Sequence, residues 1–193
     1  MFKGSAGWIA IPLVLTMGAI LLKTYPIAIL GAALVIFFML FFRDPNRTPK
    51  GSGFISPADG VVMHAGSKVT IFMRLRDVHV NRAPLPGIIK EIKYLKGMHR
   101  PAFLNTNQNE QNHITIETMQ GDVSVIQIAG ILARRIVCYV KEGDKVEAGQ
   151  RLGAILLGSR VEVTIPPEYE LTVKPGDRVK AGETVIARRG RDK

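Results

Sequence analysis

The serine at position 159 directly follows a glycine, in the stretch Leu156-Leu157-Gly158-Ser159-Arg160. A serine hydroxyl becomes a nucleophile when a nearby base takes its proton. The preceding glycine leaves the peptide carbonyl unobstructed and accepts backbone angles that other residues resist. Gly-Ser-Arg is equally the composition of an ordinary turn, so other residues must decide between the two interpretations.

The cysteine and histidine residues of the chain do not indicate disulfide or metal chemistry. The single cysteine, Cys138, excludes an intrachain disulfide, and its apolar neighbours at 136–140 are typical of a small core residue. No spacing among the four histidines resembles a metal site, so we predict no metal. These histidines are His64, His79, His99 and His113.

Four segments precede Gly158-Ser159 in a distinctive order. Each is weak evidence alone, but the ordered set resembles the phosphatidylserine decarboxylases over nearly the whole chain after residue 40. The short length and the Gly-Ser-Arg form are similar to the compact prokaryotic members of that family. The segments are FFRDPNR at 41–47, ISPADG at 55–60, RDVHVNRAP at 76–84 and QIAG at 127–130.

The resemblance implies a proenzyme that cleaves itself between Gly158 and Ser159, giving a β chain of 1–158 and an α chain of 159–193. It implies that Ser159 becomes a covalent pyruvoyl cofactor, which forms a Schiff base with the amine of phosphatidylserine. This group accepts the electrons left when CO₂ departs. The expected activity is therefore that of a pyruvoyl-dependent carboxy-lyase that produces phosphatidylethanolamine.

Self-cleavage in this family uses an aspartate, a histidine and the serine, and the resemblance assigns Asp59 and Ser159 to two of these roles. Longer members carry a His-x-x-His-x-Pro segment, in which the second histidine is the base. Here His79 matches the first histidine, but Arg82 replaces the second. Because arginine stays protonated at neutral pH, another group must take the proton. The candidates for this base are His113 and His79. If His79 is the base, it acts in both self-cleavage and decarboxylation.

Residues 43–193 are expected to form a mostly β domain that positions these groups. Short apolar and β-branched runs recur about every ten residues, separated by Gly, Pro and Asp, which is typical of a sandwich or barrel. The predicted strands lie at 60–62, 69–73, 88–94, 113–117, 123–129 and 136–140.

An internal repeat refines this prediction. Residues 140–149 recur at 173–182 with seven of ten positions identical, each copy with a Gly-Asp turn and an Ala-Gly turn. The pattern resembles the half-motifs of biotinyl/lipoyl-type barrel-sandwich domains, and 56–62 resembles their opening strand. The expected fold class is a barrel-sandwich-like β domain with an internal repeat.

That architecture also supports a non-catalytic alternative, a membrane-tethered adaptor or carrier. A carrier needs a lysine at a hairpin tip between the half-motifs, and 152–172 contains none. An adaptor would normally add coiled-coil heptads, which are absent. A soluble pyruvoyl amino-acid decarboxylase is a third hypothesis, which the apolar leader disfavours. The adaptor hypothesis predicts an uncut chain without decarboxylase activity.

Residues 1–42 form a leader with no acidic residue and only two basic ones, Lys3 and Lys23. Its apolar runs, about 7–22 and 26–42, approach the roughly 17 residues that a spanning helix requires. They predict a helical hairpin that anchors the protein, either across the membrane or inserted in one leaflet. A signal peptide is disfavoured because no small-residue cleavage site follows the first run.

The charge distribution points to an anionic membrane lipid as a partner. All 16 acidic residues and all but two of the 26 basic residues follow the leader. Basic residues beside a membrane anchor favour binding to anionic lipid. The basic residues Arg43, Arg47 and Lys50 predict that the protein lies on the cytoplasmic face of the cell membrane. Nucleic acid is not expected, since no recognition motif for it occurs. The oligomeric state, a homo-oligomer included, stays open.

Overall fold

The computed structural model describes residues 5–98, 108–130, 136–156 and 159–190. The chain divides into two compact units, Met1–Pro45 and Asn46–Lys193. The first unit is helical, and the second is built from strands. The predicted mostly β class with a helical leader is therefore confirmed.

The first unit is a pair of helices, α1 (Ala6–Leu21) and α2 (Tyr25–Phe41). Pro12 lies inside α1, and its carbonyl accepts a hydrogen bond of 2.6 Å from Thr16 Oγ1. Gly31 of α2 faces this hydroxyl so closely that a Cβ at position 31 would collide with it. The glycine therefore permits the close approach of the two helices.

The surface of this helical pair is strongly apolar. Trp8 packs on Phe38 with ring centroids 5.7 Å apart, which joins the start of α1 to the end of α2. Most other large side chains are exposed, including Leu21 at 81% and Leu22 at 77%. Within the described residues, neither helix combines the length and apolarity needed to cross a membrane.

The second unit contains fourteen strands in its described ranges. All six strands predicted from the sequence are present, with slightly different bounds. The strands are β1 (Phe54–Ile55), β2 (Gly60–Ala65), β3 (Lys68–Met73), β4 (Val80–Arg82), β5 (Gly87–Leu95), β6 (Gln111–Thr118), β7 (Gly121–Ala129), β8 (Ile136–Cys138), β9 (Lys145–Val146), β10 (Arg151–Ile155), β11 (Ser159–Thr164), β12 (Tyr169–Leu171), β13 (Arg178–Val179) and β14 (Val185–Arg189).

These strands form one large sheet and two small ones. The large sheet has the order β13-β2-β3-β11-β7-β6-β5-β9, and the small sheets have the orders β4-β10-β8 and β1-β14-β12. The pairing of the described strands does not close into a barrel. Strand β11 lies near the centre of the large sheet, antiparallel to both β3 and β7. Its alternate residues Val161 and Val163 are fully buried in the core.

The repeat predicted from the sequence is present in three dimensions. The four repeat glycines have positive φ, a conformation that favours glycine in such turns. In the first copy, Gly143 donates a 2.8 Å hydrogen bond to the Ile89 carbonyl, and in the second, Gly176 donates one of 2.8 Å to the Val62 carbonyl. The glycines are Gly143 (86°), Gly149 (82°), Gly176 (95°) and Gly182 (73°).

These contacts reveal a second duplication, which the sequence did not predict. Strand β9 pairs with β5, and β13 pairs with β2 in the same way. Residues 60–62 are therefore equivalent to residues 87–89. A Cβ at Gly60 would collide with the Phe72 carbonyl, and one at Gly87 would collide with the Glu117 carbonyl. Each half of the domain thus combines a glycine-led strand with one copy of the turn motif.

Candidate active site

Ser159 is the first residue of β11 and is fully buried. Its cross-strand neighbours are Met73 on β3 and Ala129 on β7. Among the described residues, the Ser159 hydroxyl has no hydrogen-bond partner. Burying an unsatisfied hydroxyl disfavours folding and calls for an explanation. Gly158, the other side of the predicted cleavage point, lies outside the described residues.

His79 lies in the connection between β3 and β4, with its ring buried. Its Nδ1 is 2.8 Å from the backbone carbonyl oxygen of Asp77. A carbonyl oxygen only accepts hydrogen bonds, so Nδ1 must carry the proton. In neutral His79 the lone pair therefore lies on Nε2, the nitrogen that can act as a base.

The strand pairing brings His79 and Ser159 to the same region of the domain. Met73, which pairs with Ser159, is the last residue of β3, and His79 follows six residues later. The His79 carbonyl also accepts a 3.1 Å hydrogen bond from the Ile155 nitrogen. Ile155 ends β10, the strand that precedes β11 in the chain. The ends of β3 and β10 therefore position both His79 and Ser159.

Asp59 is a buried carboxylate that connects this region to the second turn motif. Its Oδ1 accepts a 2.8 Å hydrogen bond from the Ala181 nitrogen, and its Oδ2 a 3.4 Å one from the Val78 nitrogen. Both of its oxygens also bind the Arg47 guanidinium, with 2.9 Å between Nη2 and Oδ2. Asp59 thus fixes the backbone immediately before His79.

Arg47 belongs to this site, although the sequence did not predict it as a partner of Asp59. Its side chain is 7% exposed. Besides Asp59, it contacts Glu183 Oε1 at 3.3 Å and donates a 2.9 Å hydrogen bond to the Ala181 carbonyl. This cation compensates the buried carboxylate of Asp59, which would otherwise disfavour folding, and also pairs with the partly buried carboxylate of Glu183.

Arg82 occupies the position of the missing family histidine and contacts other parts of the fold. It is buried, and its Nη1 donates a 2.9 Å hydrogen bond to the Gly149 carbonyl. A Cβ at Gly182 would lie 2.6 Å from Arg82 Cδ. The side chain therefore lies against the equivalent Ala-Gly turns of both repeat copies.

His113 is not brought together with Ser159. It lies on β6 beside Asn112, which pairs with Gln127, and Gln127 in turn pairs with Val161 on β11. Directly paired residues share a sheet face, and successive residues alternate. Asn112 therefore lies on the face of Val161 and Ser159, whereas His113 lies on the opposite face.

The environment of His113 favours its neutral form. Its Nε2 lies 2.7 Å from Gln111 Oε1. Burial lowers the pKa of His113 below its ordinary value of 6.5, and the charges of Lys93 and Lys68 lower it further. Glu162 and Glu91 act in the opposite direction, with smaller effects.

Three buried amides meet near Ser159, and sequence reasoning missed them. Asn112 and Gln127 lie on the sheet face of Ser159, whereas Asn81 lies on β4 of a small sheet. Asn112 Nδ2 donates to Gln127 Oε1 at 2.9 Å, and Gln127 Nε2 donates to Asn81 Oδ1 at 2.8 Å. Asn81 Nδ2 contacts Met73 Sδ at 3.6 Å. Asn81 and Gln127 do belong to two of the family-like segments, but only the packing of the two sheets brings them together.

The surroundings of Ser159 fit a prosthetic group made from that residue. A pyruvoyl group would be residue 159 itself, so it needs a nucleophilic hydroxyl, a base and shelter from water. The buried hydroxyl and the adjacent His79 segment meet these needs. Within the ranges that the structure describes, no group of three His, Cys, Asp or Glu side chains could hold a metal ion.

Comparisons with known proteins agree with the resemblance found in the sequence. The family model described as phosphatidylserine decarboxylase matches residues 34–187. The "Putative archaetidylserine decarboxylase proenzyme" of Methanosarcina barkeri is 52% identical over 165 residues, covering 83% of this chain and 81% of its own. The Archaeoglobus fulgidus protein of the same name is 44% identical, with 96% and 95% covered. The phosphatidylserine decarboxylase proenzyme of Solibacter usitatus is 44% identical, with 80% and 79% covered.

Proposed function

The chain belongs to the phosphatidylserine decarboxylase family, and from this membership we propose a self-cleaving enzyme that removes CO₂ from the serine headgroup of a membrane lipid. The observation that carries the proposal is the buried Ser159 hydroxyl, which has no partner among the described residues and lies near the His79 segment. The proenzyme names of the relatives support processing of the chain. No comparison favours the adaptor hypothesis.

Self-cleavage is proposed to begin when His79 Nε2 takes the proton of the Ser159 hydroxyl. The oxygen then bonds to the carbonyl carbon of residue 158, the C–N bond to Ser159 breaks, and His79 returns the proton to the nitrogen. The resulting ester loses the residue 158 carboxylate together with the Cα proton of residue 159. Water then releases ammonia from residue 159 and leaves a pyruvoyl group at the start of the α chain, 159–193.

Once formed, the pyruvoyl group supplies an electron-accepting carbonyl for decarboxylation. The residues around it shelter and orient the reacting centre. Burial of Ser159 keeps this position away from bulk water. Asp59, through its bonds to the backbone nitrogens of Val78 and Ala181, holds the His79 segment against the α chain. The same histidine is proposed to serve in decarboxylation.

The proposed substrate is a lipid with a phosphoserine headgroup. The names of the relatives include both phosphatidylserine and archaetidylserine, which share this headgroup. The amine and the carboxylate are the parts that the reaction requires. Assays with both lipids, each presented in mixed micelles, would show which one this enzyme decarboxylates.

The helical pair is proposed to insert into one leaflet of the membrane on its cytoplasmic side, where anionic lipid would meet the basic domain. The exposed apolar side chains of α1 and α2 support insertion, and the excess of basic residues after residue 42 supports the orientation. Flotation of the full chain with anionic vesicles at high salt is the test. Retention at high salt would support apolar insertion, and release would indicate purely electrostatic attachment.

The duplicated halves of the domain also support the barrel-sandwich relationship, in an open form. The paired turn motifs and the equivalent strands at 60–62 and 87–89 are the features that favour it. In this proposal the family chemistry was built on a scaffold made by duplication, with Asp59 present in only one half.

The decisive experiment is the intact mass of the expressed chain beside a Ser159→Ala control. We expect two fragments divided after Gly158, with the smaller one starting in a pyruvoyl group, and an uncut control. The mature protein should then release CO₂ from a serine phospholipid. An uncut wild-type chain in the presence of membrane lipid would contradict the proposal and favour the adaptor.

A further inference from the structure

The three buried amides near Ser159 have no role in the steps proposed so far. Asn81 and Gln127 are fully buried, and Asn112 is nearly so. A buried amide disfavours folding unless its polar atoms find partners. A continuous chain of three beside a reactive serine therefore calls for a functional explanation as well as a structural one.

The chain of amides ends on a weak acceptor. Gln127 bonds to the Asn81 oxygen and so directs the Asn81 nitrogen towards Met73. The sulfur of Met73, at 3.6 Å, is the acceptor that the described residues offer this nitrogen. A thioether accepts hydrogen bonds poorly. The N–H groups of Asn81 therefore remain available to a stronger acceptor nearby.

The position of Asn81 relates it to the bond that is cut. Met73 pairs directly with Ser159, so their side chains lie on one sheet face with Cβ atoms about 5 Å apart. Asn81 pairs with Gly153 on β10, and a Cβ at Gly153 would lie 3.1 Å from Gln127 Nε2. The missing side chain at Gly153 leaves room for the linked amides on the face where Ser159 begins β11.

We propose that Asn81 is a catalytic residue of self-cleavage, donating a hydrogen bond from Nδ2 to the carbonyl oxygen of the peptide bond before Ser159. That oxygen lies within two covalent bonds of the Ser159 nitrogen. When Ser159 Oγ bonds to the carbonyl carbon, an electron pair moves onto this oxygen, and it returns when the C–N bond breaks. Side-chain amides are effective donors to such a developing charge. The inference rests on the proposed self-cleavage.

The test compares the Asn81→Leu and Asn109→Leu variants of the full chain. Asn109 is an equally buried asparagine whose Nδ2 donates at 2.7 Å to the carbonyl of Ala129, the other cross-strand neighbour of Ser159. The first variant should cleave about 100-fold more slowly than wild type, the usual effect of losing one such donor. The second should stay within a few-fold of wild type. Similar rates for both variants would overturn the inference.

Hydroxylamine separates the role of Asn81 in forming the ester from any later role. It cuts an ester that has formed, so wild-type chain should be cut at the same bond with an unmodified Ser159 at the new terminus. Asn81→Leu should stay slow in hydroxylamine, because its ester forms slowly. Restoration to the wild-type rate would overturn the inference. An uncut wild-type chain would instead overturn the proposed function, so the two failures are distinguishable.

Discussion

At the scale of single residues, the proposed chemistry depends on which nitrogen of His79 carries the proton. The Asp77 carbonyl fixes it on Nδ1, through a contact of 2.8 Å within a buried segment. With its proton on Nδ1, His79 is proposed to act as the base in place of the second family histidine. Arg82 occupies the position of that second histidine here. Because Arg82 contacts the Ala-Gly turns, the departure from the family pattern has a structural explanation.

The two histidine candidates for the base can be separated by matched substitutions. His79→Gln should abolish self-cleavage, because glutamine cannot accept the hydroxyl proton. His113→Gln should cleave at the wild-type rate, since His113 lies on the opposite face of the sheet from Ser159. Fragment formation followed over time by gel electrophoresis is the measurement. Loss of cleavage only in the His113 variant would reverse this assignment.

His113 should instead affect stability in acid. Its folded-state pKa lies below 6.5, so between these two values the unfolded chain binds more protons. The free energy of unfolding contributed by His113 should therefore fall as pH drops through that window. Between pH 7.5 and about pH 5, we expect the urea midpoint of wild type to fall more than that of His113→Gln. Equal decreases would contradict this prediction.

The sequence predicted Ser159, Asp59 and His79, and the fold places all three at neighbouring strand ends and turns. It did not predict Arg47 as a partner of Asp59, or the meeting of Asn81 with Gln127. Residues 81 and 127 are 46 positions apart and lie on strands of different sheets, so their contact depends on how those sheets pack. A local motif carries no information about that packing, which is why the sequence did not reveal these residues.

At the scale of elements, the second repeat copy also stabilises the segment that carries His79. Arg178, the first residue of β13, contacts Asp77 Oδ1 at 2.9 Å. The same aspartate supplies the carbonyl that holds the His79 ring. Lys145 occupies the equivalent position in the first copy, at the start of β9, and offers a matched control.

We expect Arg178→Gln to slow self-cleavage about 2- to 5-fold, because a partly exposed ion pair contributes about 0.5–1 kcal/mol. Lys145→Gln should leave the rate unchanged. Rate constants from the loss of uncut chain at constant temperature would be compared for both variants and wild type. A slower Lys145 variant with a normal Arg178 variant would contradict the role given to the second copy.

The two duplications differ in how visible they are in the sequence. The turn motifs share seven of ten residues because their Gly-Asp and Ala-Gly turns impose strict backbone angles. The strands at 60–62 and 87–89 share only the leading glycine. A buried strand accepts Val or Ile equally, so its equivalence appears only when hydrogen bonds are compared.

At the scale of the whole molecule, the proposed α chain is distributed through the β domain. Its strand β11 lies inside the large sheet and β13 at one end of it, while β14 pairs with both β12 and β1 in a small sheet. Cutting before Ser159 therefore breaks one bond at the start of a strand and leaves these pairings intact.

The two fragments should consequently stay together after cleavage. In detergent, we expect fragments 1–158 and 159–193 to elute together in size-exclusion chromatography, and to separate only in denaturant. Mass spectrometry of the eluted peak identifies both. Separate elution without denaturant would contradict the strand pairing described here.

The position of β11 has a further consequence for refolding. Before the cut, folding is a unimolecular reaction whose equilibrium does not depend on protein concentration. After it, the same central strand belongs to a second polypeptide, so recovery from denaturant becomes bimolecular and dilution opposes it. The mature enzyme is then a heterodimer that was folded once, as a single chain, and whose melting temperature should fall on dilution.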